Sequence, residues 1–285
     1  MIHRSEEFAL SGAAEAFPSP TWGRTAQHAL RFAAGFWFLT AVLGQLIFAF
    51  YIALFYGRAT VQGDLARWNQ GMPHGYLAGD PVGNFAVGLH LFLAILIILS
   101  GALQLIPQVR KYAPSLHRWN GRIYLLTAFL ISIGGLFMVW VRGSVGDLSQ
   151  HVSISINALL IMTCAAFALH YARARQFGAH RRWALRLFLV AAGVWFFRIG
   201  LMLWLFVNKG PVGFDPQRFE GPFLTFLAFA QYLLPLAILE LYLRAKDRGG
   251  PGSRLAMAGG LTMLTLAMGV GIAIATMGMW LPRLR

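Results

Sequence analysis

The chain has 285 residues, of which 58% are hydrophobic and only 12% charged, and its mean hydropathy is +0.60. A water-soluble surface carries about twice that share of charge. The composition therefore excludes a soluble globular, disordered, collagen-like or disulfide-stapled chain and leaves an all-α polytopic transmembrane helical bundle. The formal net charge of +14 would suggest nucleic acid in a soluble protein; with no soluble domain to carry such binding, nucleic acid is excluded as a partner. The charge is read instead as Lys and Arg flanking apolar spans, facing a lipid bilayer and its anionic headgroups.

Residues 1–31 lack a signal-peptide core and are read as an N-terminal cytoplasmic segment. The apolar run that follows is 25 residues long, too long for a cleaved leader, so it is expected to stay as a span. Seven runs can cross a bilayer: 32–56, 84–106, 123–141, 150–171, 183–207, 222–243 and 255–281. They form one domain over 32–281, with 282–285 as a C-terminal tail. No alternating period-2 pattern recurs, which argues against a barrel. Pro107 ends the second run, Pro222 opens the sixth, and Gly249, Gly250, Pro251 and Gly252 break the chain before the seventh. Pro235 is expected to kink the sixth run. Trp183 and Trp280, near run ends, read as interfacial anchors. Cys164, the single cysteine, reads as a small buried hydrophobe.

With the N-terminus inside, the inner segments 1–31, 107–122, 172–182 and 244–254 carry 15 Lys and Arg, and the outer segments carry 7. That bias predicts N-in, C-out. Two boxes stand before helices on the inner side: His117-Arg118-Trp119-Asn120-Gly121-Arg122 before the third, and His180-Arg181-Arg182-Trp183-Ala184-Leu185-Arg186 before the fifth. The echo fits either an old helix-pair duplication or convergent interfacial chemistry.

A charge or imidazole in hydrocarbon is costly unless satisfied, so each is a candidate site. His90 lies roughly 9 Å into the second span from the outer side and Arg198 roughly 8 Å from the outer edge in the fifth, by helical rise. His151 enters the fourth span at the same face. His90 and His151 are candidate metal ligands, with Arg198 neutralising a haem propionate, a quinone oxygen or a lipid phosphate. The blander reading pairs Arg198 with Asp147 and leaves His90 as an interhelical hydrogen-bonder. Gln104 follows His90 by 14 residues, which returns to within roughly 40° of the same helix face. Two histidines at that spacing would hold two stacked haems; Gln is a poor haem ligand. At the inner face Gln104, His117, Arg118, Arg122, His170, His180, Arg181 and Arg182 could bind an anionic headgroup, phosphate or carboxylate, or be ordinary basic flanks with snorkelling Arg. His170 is out of phase with His151 and reads as interfacial. Glu240 is expected to pair with Arg244 at i+4. The methionines of the seventh run (Met257, Met263, Met268, Met277, Met279) read as packing filler. His3, His28 and His74 sit in segments read as exposed. No P-loop, dinucleotide fingerprint, HExxH, GxSxG triad or intramembrane carboxylate pair is present.

The stretch with His90, Gly101, Gln104 and Pro107 and the His117-Arg118-x-x-Gly121-Arg122 box resembles a bacterial family of predicted membrane proteins, domain of unknown function 2306. The box His180-Arg181-Arg182-Trp183 with Arg186, followed by Arg198, is similar to that family's second signature, and the likeness covers about residues 84–200. The resemblance implies a helical bundle in the bacterial inner (plasma) membrane and assigns no reaction. It marks His90, Gln104, His117, Arg118, Gly121, Arg122, Arg182, Trp183, Arg186 and Arg198. A looser likeness to small membrane b-type cytochromes implies haem b at His90; the sequence departs from that pattern at Gln104 and in the His151/His170 phase. Two functions follow as expectations. One is electron transfer, linked to haem b or a quinone. The other is non-enzymatic binding or transport of a lipid-like or anionic small molecule.

Overall fold

The computed structural model describes residues 20–143 and 146–285; His3 and the first 19 residues of the expected N-terminal segment lie outside it. The described residues are helical throughout, joined by loops and one isolated bridge between Asp215 and Glu220. Helix α1 runs Pro20–Val61, about 60 Å at the α-helical rise, twice a hydrocarbon core. A loop containing the short α2 (Trp68–Gly71) leads to α3 (Pro81–Leu105). The short α4 (Pro107–Tyr112) precedes α5 (Pro114–Phe137), which continues as a π turn over Met138–Gly143. Then come α6 (Leu148–Arg173), α7 (Phe177–Ala191), α8 (Gly193–Asn208) and α9 (Pro222–Arg248). Helix α10 (Pro251–Ala275) passes through a π turn, Thr276–Trp280, into α11 (Leu281–Leu284).

Six of these helices are long and apolar enough to cross a membrane, and α7 with α8, bent by 50° at a one-residue break, form either a seventh, broken span or a re-entrant pair. The seven expected runs are all present, with three corrections. The fifth run is broken at Ala192, whereas Pro235 lies inside an uninterrupted α9. Pro114 is the first residue of α5, so the box from His117 to Arg122 lies within that helix; Phe177 likewise starts α7 ahead of the second box. Trp280 is not an interfacial anchor. The π turn swings it inward, where it is 1% exposed and packs on Phe48 at 5.2 Å between ring centres.

Around the bundle, α10 lies along α1, α1 on α3, α3 on α5, α5 on α6, and α6 against α7 and α9; α8 packs on α9 and α10 and closes the ring. Lipid tails are as apolar as Leu, so such helices are held by close van der Waals packing and interhelical hydrogen bonds more than by exclusion from water. Gly44 of α1 shows this: a β-carbon there would fall 2.6 Å from Ile272 and 2.7 Å from Trp195. Proline at the first positions of α3, α5, α9 and α10 and the Asp80 and Asp147 caps fix where helices begin.

The bundle thus has two ends. The basic end gathers the starts of α1, α5, α7 and α10 and the ends of α3, α6 and α9. The loop end carries the segments 62–80 and 209–221. At the loop end Arg142 ties the first loop down, donating to Asn84 Oδ1 at 2.8 Å and Gly75 O at 3.3 Å and lying 3.7 Å from Asp80. Trp68 of that loop is buried and donates to Tyr56 O at 3.4 Å.

Candidate functional site

At the basic end, α3 and α5 meet through polar groups. Asn120 Nδ2 donates to Ser100 O at 2.8 Å and to Gln104 Oε1 at 2.9 Å. Gln104 Nε2, thus oriented, lies 3.4 Å from His117 Nε2, so the ring accepts there and carries its proton on Nδ1. That Nδ1 is buried and has no partner among the described residues. Gly121 makes room for the arrangement, since a β-carbon at 121 would stand 2.8 Å from Gln104 Nε2. The spacing His117-x-x-Asn120-Gly121 therefore has a packing cause on α5: two polar groups and a notch face α3. His180 on α7 is likewise anchored, its Nδ1 2.9 Å from Ala168 O.

Gln104, His117, Gly121 and His180 border a half-open cavity of about 2110 Å³ between α1, α3, α5, α6, α7, α8, α9 and α10. Its wall along the spans is apolar, with Phe129, Leu189, Phe196, Leu203, Leu234, Leu239 and Met268 among its members. Toward the basic end it is lined by Arg31, Arg110, Arg118, Arg122, Arg173, Arg175, Arg181 and Lys246, with Gln104, His117 and His180 among them; no carboxylate of the described residues lines it. Two of these arginines have local contacts that leave the charge in place: Arg118 donates to Ser115 Oγ at 3.0 Å, and Arg122 lies 4.5 Å above the Trp119 ring. Deeper in, Gln231 lines the wall beside the break at Gly193, where Asn157 also approaches; Gln231 Oε1 and Asn157 Oδ1 are buried without protein donors.

Two arginines of the second box are already paired. Arg182 donates to Asp247 at 2.7 Å. Arg186 grips Glu240 with two bonds of 2.7 and 2.8 Å and lies 4.7 Å above Trp183. The expected Glu240–Arg244 pair is thus replaced: the buried flank of α9 turns Glu240 toward α7, while Arg244, a turn on, is exposed. Among the other sequence-marked residues, His170 and His28 are exposed on their helices and His74 sits in the loop with φ of 56°.

Toward the loop end, His90 lies nine residues into α3 and Arg198 ten residues before the end of α8, about 14 and 15 Å along their helices, so the two share a level. Arg198 is close enough for its charge to act on the His90 imidazole. His90 Nδ1 faces the notch at Gly134 of α5, as Gln104 faces Gly121; the stripe of α3 that carries both is turned toward α5. Arg198 forms no ion pair with any described residue. Asp147 is engaged by Gln150 N at 2.9 Å and by Thr225 Oγ1 at 3.4 Å, so the Arg198–Asp147 pairing does not occur. His151 sits three residues into α6, a shallower level, with Trp140 edge-on at 6.0 Å. Among the described residues no three His, Cys, Asp or Glu side chains converge as metal ligands.

Sequence reasoning marked the boxes and missed Arg31, Arg110, Arg173, Arg175 and Lys246, which look like ordinary flanks. It also missed Asn120, whose signal was its place between Trp119 and Gly121 at a helix start.

The fold and the polar groups buried in it define an integral membrane protein of the helical-bundle class. Residues 87–217, from α3 to the loop after α8, match the family described as predicted membrane protein, domain of unknown function 2306. No curated protein and no solved structure matches the chain.

Proposed function

We propose that the protein binds an anionic amphiphile in the central cavity, with the charged group among the basic-end cations and the apolar chains along α8, α9 and α10, as a non-enzymatic lipid-binding or lipid-moving protein. One observation carries this reading: among the described residues eight cationic side chains and no carboxylate line one end of a cavity whose remaining wall is mainly apolar. Like charges gathered at a low-dielectric mouth repel one another and concentrate anions. The cavity is more than twice the size of pockets for drug-sized ligands, about 300–1,000 Å³, which suits a long-chain occupant. The break between α7 and α8 beside it is the kind of discontinuity that binding sites in transporters use. The positive-inside bias and the resemblance to a bacterial family support placing the basic end at the cytoplasmic face of the inner membrane.

The test is lipid retention. Native mass spectrometry of detergent-purified protein should find phosphatidylglycerol or phosphatidic acid held in preference to phosphatidylcholine. Replacing Arg110, Arg181 and Lys246 together by Gln should abolish the preference; equal retention of charged and zwitterionic lipids by the wild type would refute it. The electron-transfer expectation keeps one supporting observation, the enclosed His90 imidazole beside Arg198. It predicts an α-band in the reduced-minus-oxidised spectrum that His90→Ala removes, and a bandless spectrum with haem supplied rejects it.

A further inference from the structure

Helix α8 has a second face. Phe196, Ile199, Gly200 and Leu203 look into the central cavity, while Trp195 and Arg198, three residues apart, look toward α1 and the π turn of α10. The Arg198 guanidinium lies 5.4 Å over the Phe48 ring. Phe48 packs on Trp280, and Trp280 stacks on Tyr51 at 6.2 Å. Phe48, Tyr51, Trp195 and Trp280 are each at most 6% exposed. Arg283, just past the π turn, is near enough for its charge, like that of Arg198, to act on Tyr56 of the same aromatic column.

The polar atoms of this compartment are one-sided. Tyr51 Oη, Trp195 Nε1, Arg198 Nε, Trp280 Nε1 and Arg283 Nη1 are all buried, and none has a hydrogen-bond partner among the described residues. Indole and guanidinium nitrogens can only donate, and a phenol readily does so. None of the seven described Asp and Glu side chains ion-pairs with Arg198: Asp80, Glu240 and Asp247 serve Arg142, Arg186 and Arg182, Asp147 caps α6, Asp215 Oδ1 accepts from Gln217 N and Arg218 N, Glu220 lies in the same second loop, and Asp64 is exposed in the first. Arg198 is half-buried with its Nε enclosed among donors, an arrangement that is costly unless something supplies negative charge and acceptors. The π turn that brings Trp280 inward is itself a feature frequent at functional sites.

We propose that this compartment, between α1, α3, α8 and the α10 π turn, binds an oxyanion, a phosphate or carboxylate group, that pairs with Arg198 and accepts hydrogen bonds from the neutral donors around it. The site is distinct from the central cavity, because neither Trp195 nor Arg198 lines that cavity. The oxyanion is either free in solution or the headgroup of an amphiphile.

The experiment is equilibrium binding to the full chain in detergent, with inorganic phosphate in one arm and dioctanoyl phosphatidic acid in the other, at constant ionic strength set by sodium chloride. All measurements are made on the Arg110, Arg181 and Lys246→Gln background, so that the central cavity does not contribute. Saturable binding of both probes identifies a free oxyanion, and binding of the lipid alone identifies a headgroup; either supports the site. Arg198→Gln should then weaken binding by at least about tenfold, the loss expected for a charge-assisted contact. Tyr51→Phe keeps the ring packing, removes one donor, and should weaken it about three- to tenfold. Binding of neither probe overturns the proposal, as does binding that is unchanged in both Arg198→Gln and Tyr51→Phe.

Discussion

The two ends of the bundle handle positive charge in opposite ways. At the basic end the cations are many, and the structure sorts them. Arg182 and Arg186 are tied to carboxylates of α9, and eight others line the open central cavity. At the loop end the charge is sparse. Arg142 is absorbed by the first loop, whereas Arg198 sits deep on α8 among groups that share its donor character. Both ends carry cations without a carboxylate partner among the described residues, one group at a wide cavity mouth, the other beside an aromatic column. Paired and unpaired arginines of one chain should therefore respond to substitution with different signs.

The largest effect is expected at Glu240. Replacing it by Gln leaves the partly buried Arg186 unpaired inside a span, and should destabilise the protein by about 2–3 kcal/mol, read as a lower midpoint of thermal unfolding in detergent. An unchanged midpoint would mean that Arg186 finds a second partner. Arg198→Met tests the other side of the comparison. With no anion added, it removes an unpaired charge, so the midpoint should hold or rise, by a gain of up to about 1 kcal/mol; a clear loss would reveal a protein partner for Arg198. The smallest effect is at the solvent-exposed Arg182–Asp247 pair. Arg182→Gln should cost at most about 0.5 kcal/mol, and less still in high salt; a large, salt-insensitive loss would show that this pair is a structural clamp like Arg186–Glu240.

The spans were legible because apolar length sets them, and the shared facing of His90 and Gln104 was legible because helical phase is arithmetic. Both residues do face glycine notches of α5. Helix starts were less readable. The boxes beginning at His117 and His180 are rich in His, Arg and Trp, so they look like loops, yet Pro114 and Phe177 begin the helices ahead of them. Glu240 was assigned to Arg244 because a partner four residues away is visible in sequence, whereas Arg186, 54 positions earlier, is brought near only by the packing of α7 on α9. The break at Ala192–Gly193 carries no proline, and the proline that is present, Pro235, does not interrupt its helix. The donor ring around Arg198 was hidden for a similar reason: Tyr51, Trp195 and Trp280 count as apolar in a hydropathy reading, and the π turn that aims Trp280 inward leaves no mark in sequence.

The most direct test of the central cavity's role is photo-crosslinking in nanodiscs with a phosphatidylglycerol that carries a diazirine on its acyl chain, mapped by mass spectrometry. Adducts are expected on the cavity wall, at Phe129, Ala230, Leu234 and Ala267, and should fall when Arg110, Arg181 and Lys246 are replaced by Gln. Adducts spread evenly over outward-facing positions such as Phe50, Ile133 and Leu159, with none enriched on the wall, would contradict an occupied cavity.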